Sequence, residues 1–414
     1  MFLKIGLTTT VVVSSCDAAR EAFMRHDRRL AARTIPDMSC LFGISERPMV
    51  WLPSSNQRWK TMRGIVATHI FSPRSLASVR AIRERKVRDL VNYIRDRVGQ
   101  EIDVGQAVYG GILNLVSTTL FSVDVVDVGA QSAHGLQEAV EELIELVAKP
   151  NVSDLFPFLR PLDLQGRRRQ AAGLFEKLFQ VLDDIIDRRL ALAKASSSKS
   201  LRGDVLDALI QLTSSGTITR EDMRTVMFDV FAAGSDTMAI TVTIEEPDVA
   251  GMPYFQAMVK EAMRLHPVAP VMLPHQAVED GVEKGGYAVP KGSTIIFNAW
   301  AIMRDPAAWD RPDEFVPERF LVNRGAEVDF RGKDFEFIPF GSGRRMCPGL
   351  PMAERVVPLL LASLLHELEW KLPNGMSAEH LDMSEQFTTS NVMTVPLKAV
   401  PVANQCMLAG MDKR

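Results

Sequence analysis

One ten-residue stretch, Phe340-Gly-Ser-Gly-Arg-Arg-Met-Cys-Pro-Gly349, constrains this chain more than any other. It sets Cys347 in a loop with three glycines, a proline and two arginines. A nearly unbroken apolar helical pattern follows from Leu350 to Leu368. Backbone N–H groups of such a loop can point at a sulfur, and the start of the helix adds positive dipole on the same side. Both favour a thiolate, which makes Cys347 a candidate axial ligand for haem iron. Phe340 can pack over the sulfur side of the ring, and Arg345 can meet a haem carboxylate bidentately. The plainer alternative is an ordinary buried cysteine beside a turn.

The chain has 414 residues, enough for one large domain or two to three smaller ones. Apolar residues make up 46% and charged residues 24%, a composition that suits a large core. A net charge of −3 argues against nucleic acid as partner, and Arg167-Arg168-Arg169 reads as solvated helix surface. Cys16, Cys40, Cys347 and Cys406 are scattered, with neither a disulfide framework nor zinc spacing, which fits a reducing compartment. No apolar run is long enough to span a membrane, and the N-terminus is a poor signal peptide. Residues 1–16 read as strand, so the chain opens in mid-strand and a lost N-terminal portion is expected.

Asp17 can cap a helix running to about His26. Helices are predicted over 56–70, 75–98, 103–121, 133–148 and 167–195. In the second, Val79, Ile82, Val87, Leu90, Val91, Ile94 and Val98 share a face. Residues 150–165 connect two helices, and 196–200 form a polar loop. Thr219-x-x-Asp222 reads as a capping box that opens a helix to about Val242. Tyr287–Pro290 and Thr294–Ala299 read as strands around a turn, 300–345 as a long meander, and 383–400 as a strand pair.

Four further motifs carry chemistry. Glu261 and Arg264 share a helix face at i, i+3, which in isolation describes a weak surface ion pair. Pro317-Glu-Arg-Phe320 supplies Arg319. Trp59 and Arg63, at i, i+4, can both reach one anion, or simply mark an amphipathic surface helix. Ala233-Gly234-Ser235-Asp236-Thr237 combines a glycine that allows close approach with a proton-bearing pair; Thr237 can equally bond back to the i−4 carbonyl.

Phe340-x-x-Gly343-x-Arg345-x-Cys347-x-Gly349 resembles the haem-binding signature of the cytochrome P-450 monooxygenases. The longer run from Phe337 looks like the plant microsomal A-type branch, and within that branch the sequence as a whole looks most like the geraniol-hydroxylase-like subfamily. The resemblance covers nearly the whole chain. It implies a mainly α haem-thiolate fold with a small β portion, as one domain over 1–402 with a tail over 403–414. It implies haem b bound through Cys347, with Trp59, Arg63, His275, Phe340, Gly343, Arg345 and Gly349 around it. Glu261, Arg264 and Arg319 would lock the meander. Asp236 and Thr237 would manage protons during dioxygen activation. Phe231, Ala232, Ala233, Val268, Val271, Leu273 and Thr389 would contact an apolar, terpenoid substrate. Electrons would come from NADPH through a separate reductase, because the chain carries no flavin or Rossmann fingerprint. The expected setting is a monomer at the cytosolic face of the endoplasmic reticulum membrane. The apolar segment 152–162, with Leu155, Phe156, Phe158 and Leu159, can dip into that surface or cap the substrate site.

Two departures from the family stand out. The chain starts after the membrane-anchoring helix and Pro-rich hinge of the plant branch. Glu261 also follows Thr237 by only 24 positions. Thr243-x-x-Glu246-Pro247 reads as a new capping box and turn, so roughly thirty residues are missing near 242–243, on the order of 45 Å of helix. A non-catalytic product of such a gene therefore stands beside the monooxygenase. A haem-thiolate isomerase or dehydratase is a further alternative, against which the intact Asp236-Thr237 pair speaks.

Overall fold

The computed structural model describes residues 1–126, 131–195, 204–239, 252–280, 282–284, 287–321, 328–387 and 390–403. Within these, side chains are described except at 42–45, 131–137, 148, 195, 235–239, 282–284 and 287. Thr389, the expected missing segment near 242–243, the Thr243–Glu246 motif and the 403–414 tail beyond Ala403 therefore lie outside the described residues.

Ten α-helices of nine residues or more are present among the described residues. They are α1 (Cys16–Arg25), α2 (Gln57–Ile65), α3 (Arg80–Arg95), α4 (Val104–Phe121), α5 (Gln131–Ala148), α6 (Arg167–Ala195), α7 (Val205–Ser214), α8 (Arg220–Ala239), α9 (Pro253–Leu265) and α10 (Leu350–Glu367). Helix α4 is central: every residue from Ala107 to Phe121 is buried. Asp103 caps it by accepting the Gln106 N–H at 2.9 Å, and Ser122 ends it in the left-handed conformation. Gly111 is required there, since a Cβ would lie 2.6 Å from a Leu90 methyl of α3. Helix α8 packs along α4 within the largest hydrophobic cluster, which also takes in α2, α3, α5, α6, α7 and α10. The predicted capping box holds α8 at its start: Thr219 and Asp222 exchange side-chain-to-backbone bonds at 3.0 and 3.1 Å.

The β portion is small. Strands β1 (Phe2–Ile5), β2 (Thr8–Val13), β3 (Ala32–Arg33), β4 (Ile102–Asp103), β5 (His275–Gln276), β6 (Val282–Lys284), β7 (Tyr287–Val289) and β8 (Thr294–Phe297) precede α10. After it come β9 (Leu368–Lys371), β10 (Glu385–Phe387), β11 (Asn391–Met393) and β12 (Lys398–Ala403). The main sheet has the order β1-β2-β8-β5-β3. Its β2–β8 pair is parallel, with Thr10 opposite Thr294. Antiparallel β3 and β5 set Arg33 opposite His275.

Several expectations need correction. Residues 1–16 form a hairpin turning at Gly6 (φ 61°), not one strand. Ser15, not Asp17, precedes α1. The helix predicted over 75–98 divides at Val79, because Pro73 starts a short helix to Ser78 and α3 begins at Arg80. Val98 lies beyond it and is exposed. The strand predicted to reach Ala299 stops at Phe297, where Asn298 caps a helical turn by accepting the Ala301 N–H at 3.0 Å. The 300–345 meander is irregular, as its sparse periodicity implied, with Pro317–Phe320 a short 3₁₀ turn. Of the 383–400 pair, β10 and β11 pair with each other while β12 pairs with β4 and β9.

Candidate active site

Helix α10 starts three residues after Cys347 because Pro348 and Gly349 end the loop there and Pro351 suits a first helical turn. The Gly349 and Leu350 amides both bond toward the Cys347 sulfur. The Cys347 amide in turn donates to the Phe340 carbonyl at 2.9 Å, which closes the loop. Burial pushes the thiol up from its usual range, against the two amides and the positive charge of Arg63. A metal bound at the sulfur takes the place of that proton. The glycines differ in role. Gly341 (φ 73°) and Gly343 (φ 66°) occupy the left-handed region, and a Cβ on Gly343 would collide with the Asp27 carboxylate. Gly349 has an ordinary φ of −80°, and a Cβ there would sit 3.7 Å from the sulfur. The Phe340 ring packs edge-on to Phe330 at 5.7 Å and against the cluster of Val259, Ala353 and Val357.

Beside the loop lies a cluster of cations. Arg345 donates to three backbone carbonyls: Ala31 at 2.7 Å, Met49 at 3.1 Å and Leu52. Its guanidinium stands 5.3 Å from the Trp59 ring. Three of its five N–H groups are thus committed to protein, and one on each Nη is left for a carboxylate. Arg63 of α2 donates to Met346 O at 2.7 Å. Arg33 donates to Leu273 O, and His275 Nδ1 meets Leu30 O at 2.8 Å. Burial lowers Arg345 to about 10, with Arg63 adding repulsion and Asp27 offering partial relief. Burial lowers Arg33 to about 9, with Arg345 repelling it. Burial, then Arg33, holds His275 well below the ordinary histidine range, so it is neutral.

This cluster tests whether a haem fits. The Nε atoms of Arg33 and the indole Nε1 of Trp59 are buried without a hydrogen-bond partner. Buried donors left unpaired cost about 1–3 kcal/mol each. Buried, mutually repelling guanidiniums beside a single carboxylate add to that penalty. A group that carries acidic oxygens on one edge satisfies these donors, and one whose metal needs a single sulfur ligand satisfies Cys347. Haem b does both. Among the described residues no group of three or more His, Cys, Asp or Glu could hold a bare metal ion. Trp59, Arg63, His275 and Arg345, all expected from the sequence, come together here. Arg33 was missed: it lies outside every motif, and only its pairing with His275 across β3 and β5 brings it in.

A buried ion triad ties α9 to the meander. Glu261 and Arg264 of α9 are fully buried. Arg264 grips both carboxylate oxygens of Glu261 at 2.7 and 2.9 Å. Arg319 adds a third bond at 3.0 Å, and the Val316 amide a fourth at 2.9 Å. The free sides of both arginines bond carbonyls of the meander, including Met303, Pro312 and Asp310. Burial alone would raise Glu261, but Arg264, the Val316 amide and Arg319 hold it below the usual carboxylate range.

Asp236 and Thr237 lie in the last two turns of α8, and their side chains lie outside the described residues. Of the expected substrate contacts, Phe231 is buried, Ala232 half-buried and Ala233 exposed on this helix. Val268, Val271 and Leu273 are half-buried. The Val268 carbonyl accepts the Asn391 N–H at 2.8 Å, which joins the segment after α9 to the start of β11.

The cytochrome P450 family model matches residues 1–244 and 242–396. Cytochrome P450 76M5 of Oryza sativa subsp. japonica is 58% identical over 97% of this chain and 85% of that protein. Oryzalexin E synthase of the same rice is 56% identical over 98% of this chain and 85% of that protein. Ent-cassadiene C11-alpha-hydroxylase 1, also from that rice, is 55% identical over 97% and 86%. A solved zebra fish cytochrome P450 structure with abiraterone has a TM-score of 0.77 at 21% identity, covering 98% of this chain and 95% of that one, a likeness of fold. With the thiolate loop, the cation cluster and matches along nearly its whole length, the chain belongs to the cytochrome P450 family of haem-thiolate monooxygenases.

Proposed function

We propose that this chain inserts one oxygen atom from dioxygen into an apolar, terpenoid substrate, with electrons from NADPH delivered by a separate reductase. The observation that carries the reading is the pairing of Cys347, under the Gly349 and Leu350 amides, with a buried cation cluster whose Trp59 and Arg33 donors await an anion. Bound haem supplies dioxygen binding and activation. The chain's own residues do the rest. Cys347 ligates, while Arg33, Arg63, Arg345, Trp59 and His275 orient the acidic edge. Asp236 and Thr237 deliver protons from α8. Ala233 and Val268–Leu273 present apolar surface to the substrate. The terpenoid class is supported by the rice relatives, one an ent-cassadiene hydroxylase and others oryzalexin synthases.

A membrane surface is the proposed setting for this monomer, on the endoplasmic reticulum. No helix among the described residues is long and apolar enough to cross a membrane. An exposed apolar patch supports surface contact instead: Phe158, Leu162 and Leu164 are 70%, 63% and 63% exposed, and Leu7 is 62% exposed. Leu7 is tied to this segment, its N–H donating to Leu155 O at 3.0 Å.

A carbon-monoxide difference spectrum of the reduced, haem-supplied protein tests the reading. The thiolate-haem band at about 450 nm is expected. Its absence sinks monooxygenase activity for this chain, and turnover without reductase and NADPH would point instead to an isomerase or dehydratase. A second reading, a shortened product that does not turn over, is favoured by one observation. The family model matches in two blocks that meet at 242–244, and the 58% relative aligns over 428 positions, more than the 414 residues this chain has. Relative residues without a counterpart therefore fall inside the match. We propose that they fall between α8 and α9; the transcript across codons 242–243 decides it.

A further inference from the structure

Asp229 lies on α8, five residues before Gly234, and belongs to none of the motifs above. Its Oδ2 accepts the Met49 N–H at 2.7 Å. The carbonyl of that same residue accepts from Arg345 Nη1 at 3.1 Å, and Leu52 O accepts from Nη2. Between these anchors the turn is stiff, since the Trp51 and Leu52 amides both donate to Pro48 O at 3.1 Å. Met49, Trp51 and Leu52 are buried. One backbone residue is thus gripped from both sides, by a carboxylate of the helix that carries Asp236 and Thr237 and by the arginine of the cysteine loop.

We propose that Asp229 is a positioning residue: through the Met49 backbone it fixes Arg345, and so couples helix α8 to the cations that would hold the acidic edge of the haem. The proposal rests on the haem reading above. The coupling follows from how few degrees of freedom remain. Arg345 reaches Met49 and Leu52 with two nitrogens of one rigid fork, so a shift of the Pro48–Leu52 turn moves the guanidinium with it. Met49 is buried, so removing the carboxyl leaves its amide an unsatisfied buried donor, a cost that displacing the turn relieves.

Asp229 is also able to switch. Burial raises it to about 7, with the Met49 amide pulling the other way. No charged side chain among the described residues acts on it. Ionised, it is a charge-assisted acceptor; protonated, a weaker one. The grip on Met49 therefore tightens as pH rises through neutrality.

The test compares wild type, Asp229→Asn and Asp229→Leu by amide exchange at Met49 and by the rate of haem loss from the loaded protein. In wild type, haem loss should slow several-fold from about pH 6 to about pH 8, and Met49 protection should rise in parallel. Asp229→Asn keeps an acceptor for Met49, so it should stay protected with a haem-loss rate flat in that window. Asp229→Leu should unprotect Met49 and speed haem loss about tenfold at every pH. Two outcomes overturn the proposal: Met49 equally protected in all three proteins, or Met49 released in Asp229→Leu while haem loss stays at the wild-type rate. If Asp229→Leu does not fold, the pH contrast between wild type and Asp229→Asn decides alone. A wild-type chain that takes up no haem overturns the underlying haem reading, and shows itself before any variant is compared.

Discussion

Glu261→Gln is the sharpest test of what holds the cysteine loop in place. The amide keeps one acceptor, which Arg319, Val316 and one nitrogen of Arg264 can still use. It turns the other oxygen into an NH₂ group facing Arg264 Nε, where the carboxylate contact is 2.7 Å. Donor then meets donor at a fully buried site, and two arginines lose their counter-charge. Breaking a buried pair in this way costs about 3–5 kcal/mol. Unfolding entropy near ~2.1 cal/mol/K per residue over the 414 residues converts that to a fall of about 3–6 °C in melting temperature. Calorimetry should show this fall, and the reduced carbon-monoxide spectrum should lose the thiolate band as the meander loosens. Arg319→Ala should do less, because Arg264 still neutralises Glu261. The sign with pH is fixed by the direction of the shift. Glu261 is held below its unfolded value, so its contribution is present above about pH 4.3 and is lost as pH falls through the folded value. A Glu261→Gln protein that melts within 1 °C of wild type at about pH 7 would refute the buried-triad argument.

Other substitutions probe the rest of the site. Arg33→Met should raise the melting temperature of the haem-free protein, by removing repulsion with Arg345 and an unpaired donor, while speeding haem loss about tenfold; a thermal scan and a haem-transfer assay give the two signs. His275 is buried and neutral, so below its unfolded value near ~6.5 the unfolded chain takes up a proton the folded one refuses. The haem-free protein should therefore lose urea resistance between about pH 7 and about pH 5.5, and His275→Gln should lack that loss. Asp37 is buried and meets Ser153 Oγ at 2.9 Å, Arg160 at 3.4 Å and Arg168 at 3.4 Å. Asp37→Ala should free the 151–162 segment, seen as faster proteolytic nicking there.

What the sequence made legible was local chemistry. The Thr219/Asp222 box and the Glu261/Arg264 pair are contacts within a turn of helix, where spacing dictates proximity, and Trp59 and Arg63 are brought to one site by sharing α2. The Cys347 loop was legible because glycine and proline spell out its turns. Arg33 and Asp229 were not, because each depends on a partner more than a hundred residues away. Arg33 matters through His275, and Asp229 through Met49 and Arg345; no periodicity encodes such pairings. The N-terminal hairpin escaped for a similar reason. Its β-branched run Thr8–Val13 reads as strand either way, and only Gly6 with a positive φ shows where the chain doubles back. An all-apolar α4 face likewise hid the need for Gly111, which the side chain of Leu90 imposes from another helix.

The parallel pairing of β2 with β8 has a consequence for how the chain is made. Val11 and Val13 emerge early from the ribosome, yet their neighbours Ile295 and Phe297 are synthesised far later. At about 5–20 residues per second the hairpin waits roughly 15–60 s for its partner strand. During that interval β2 presents an open edge of Thr and Val, the kind of edge other chains can pair with. Yield in cells should thus depend on what shields Thr8–Val13 until β8 is made, a demand that no property of the finished site reveals.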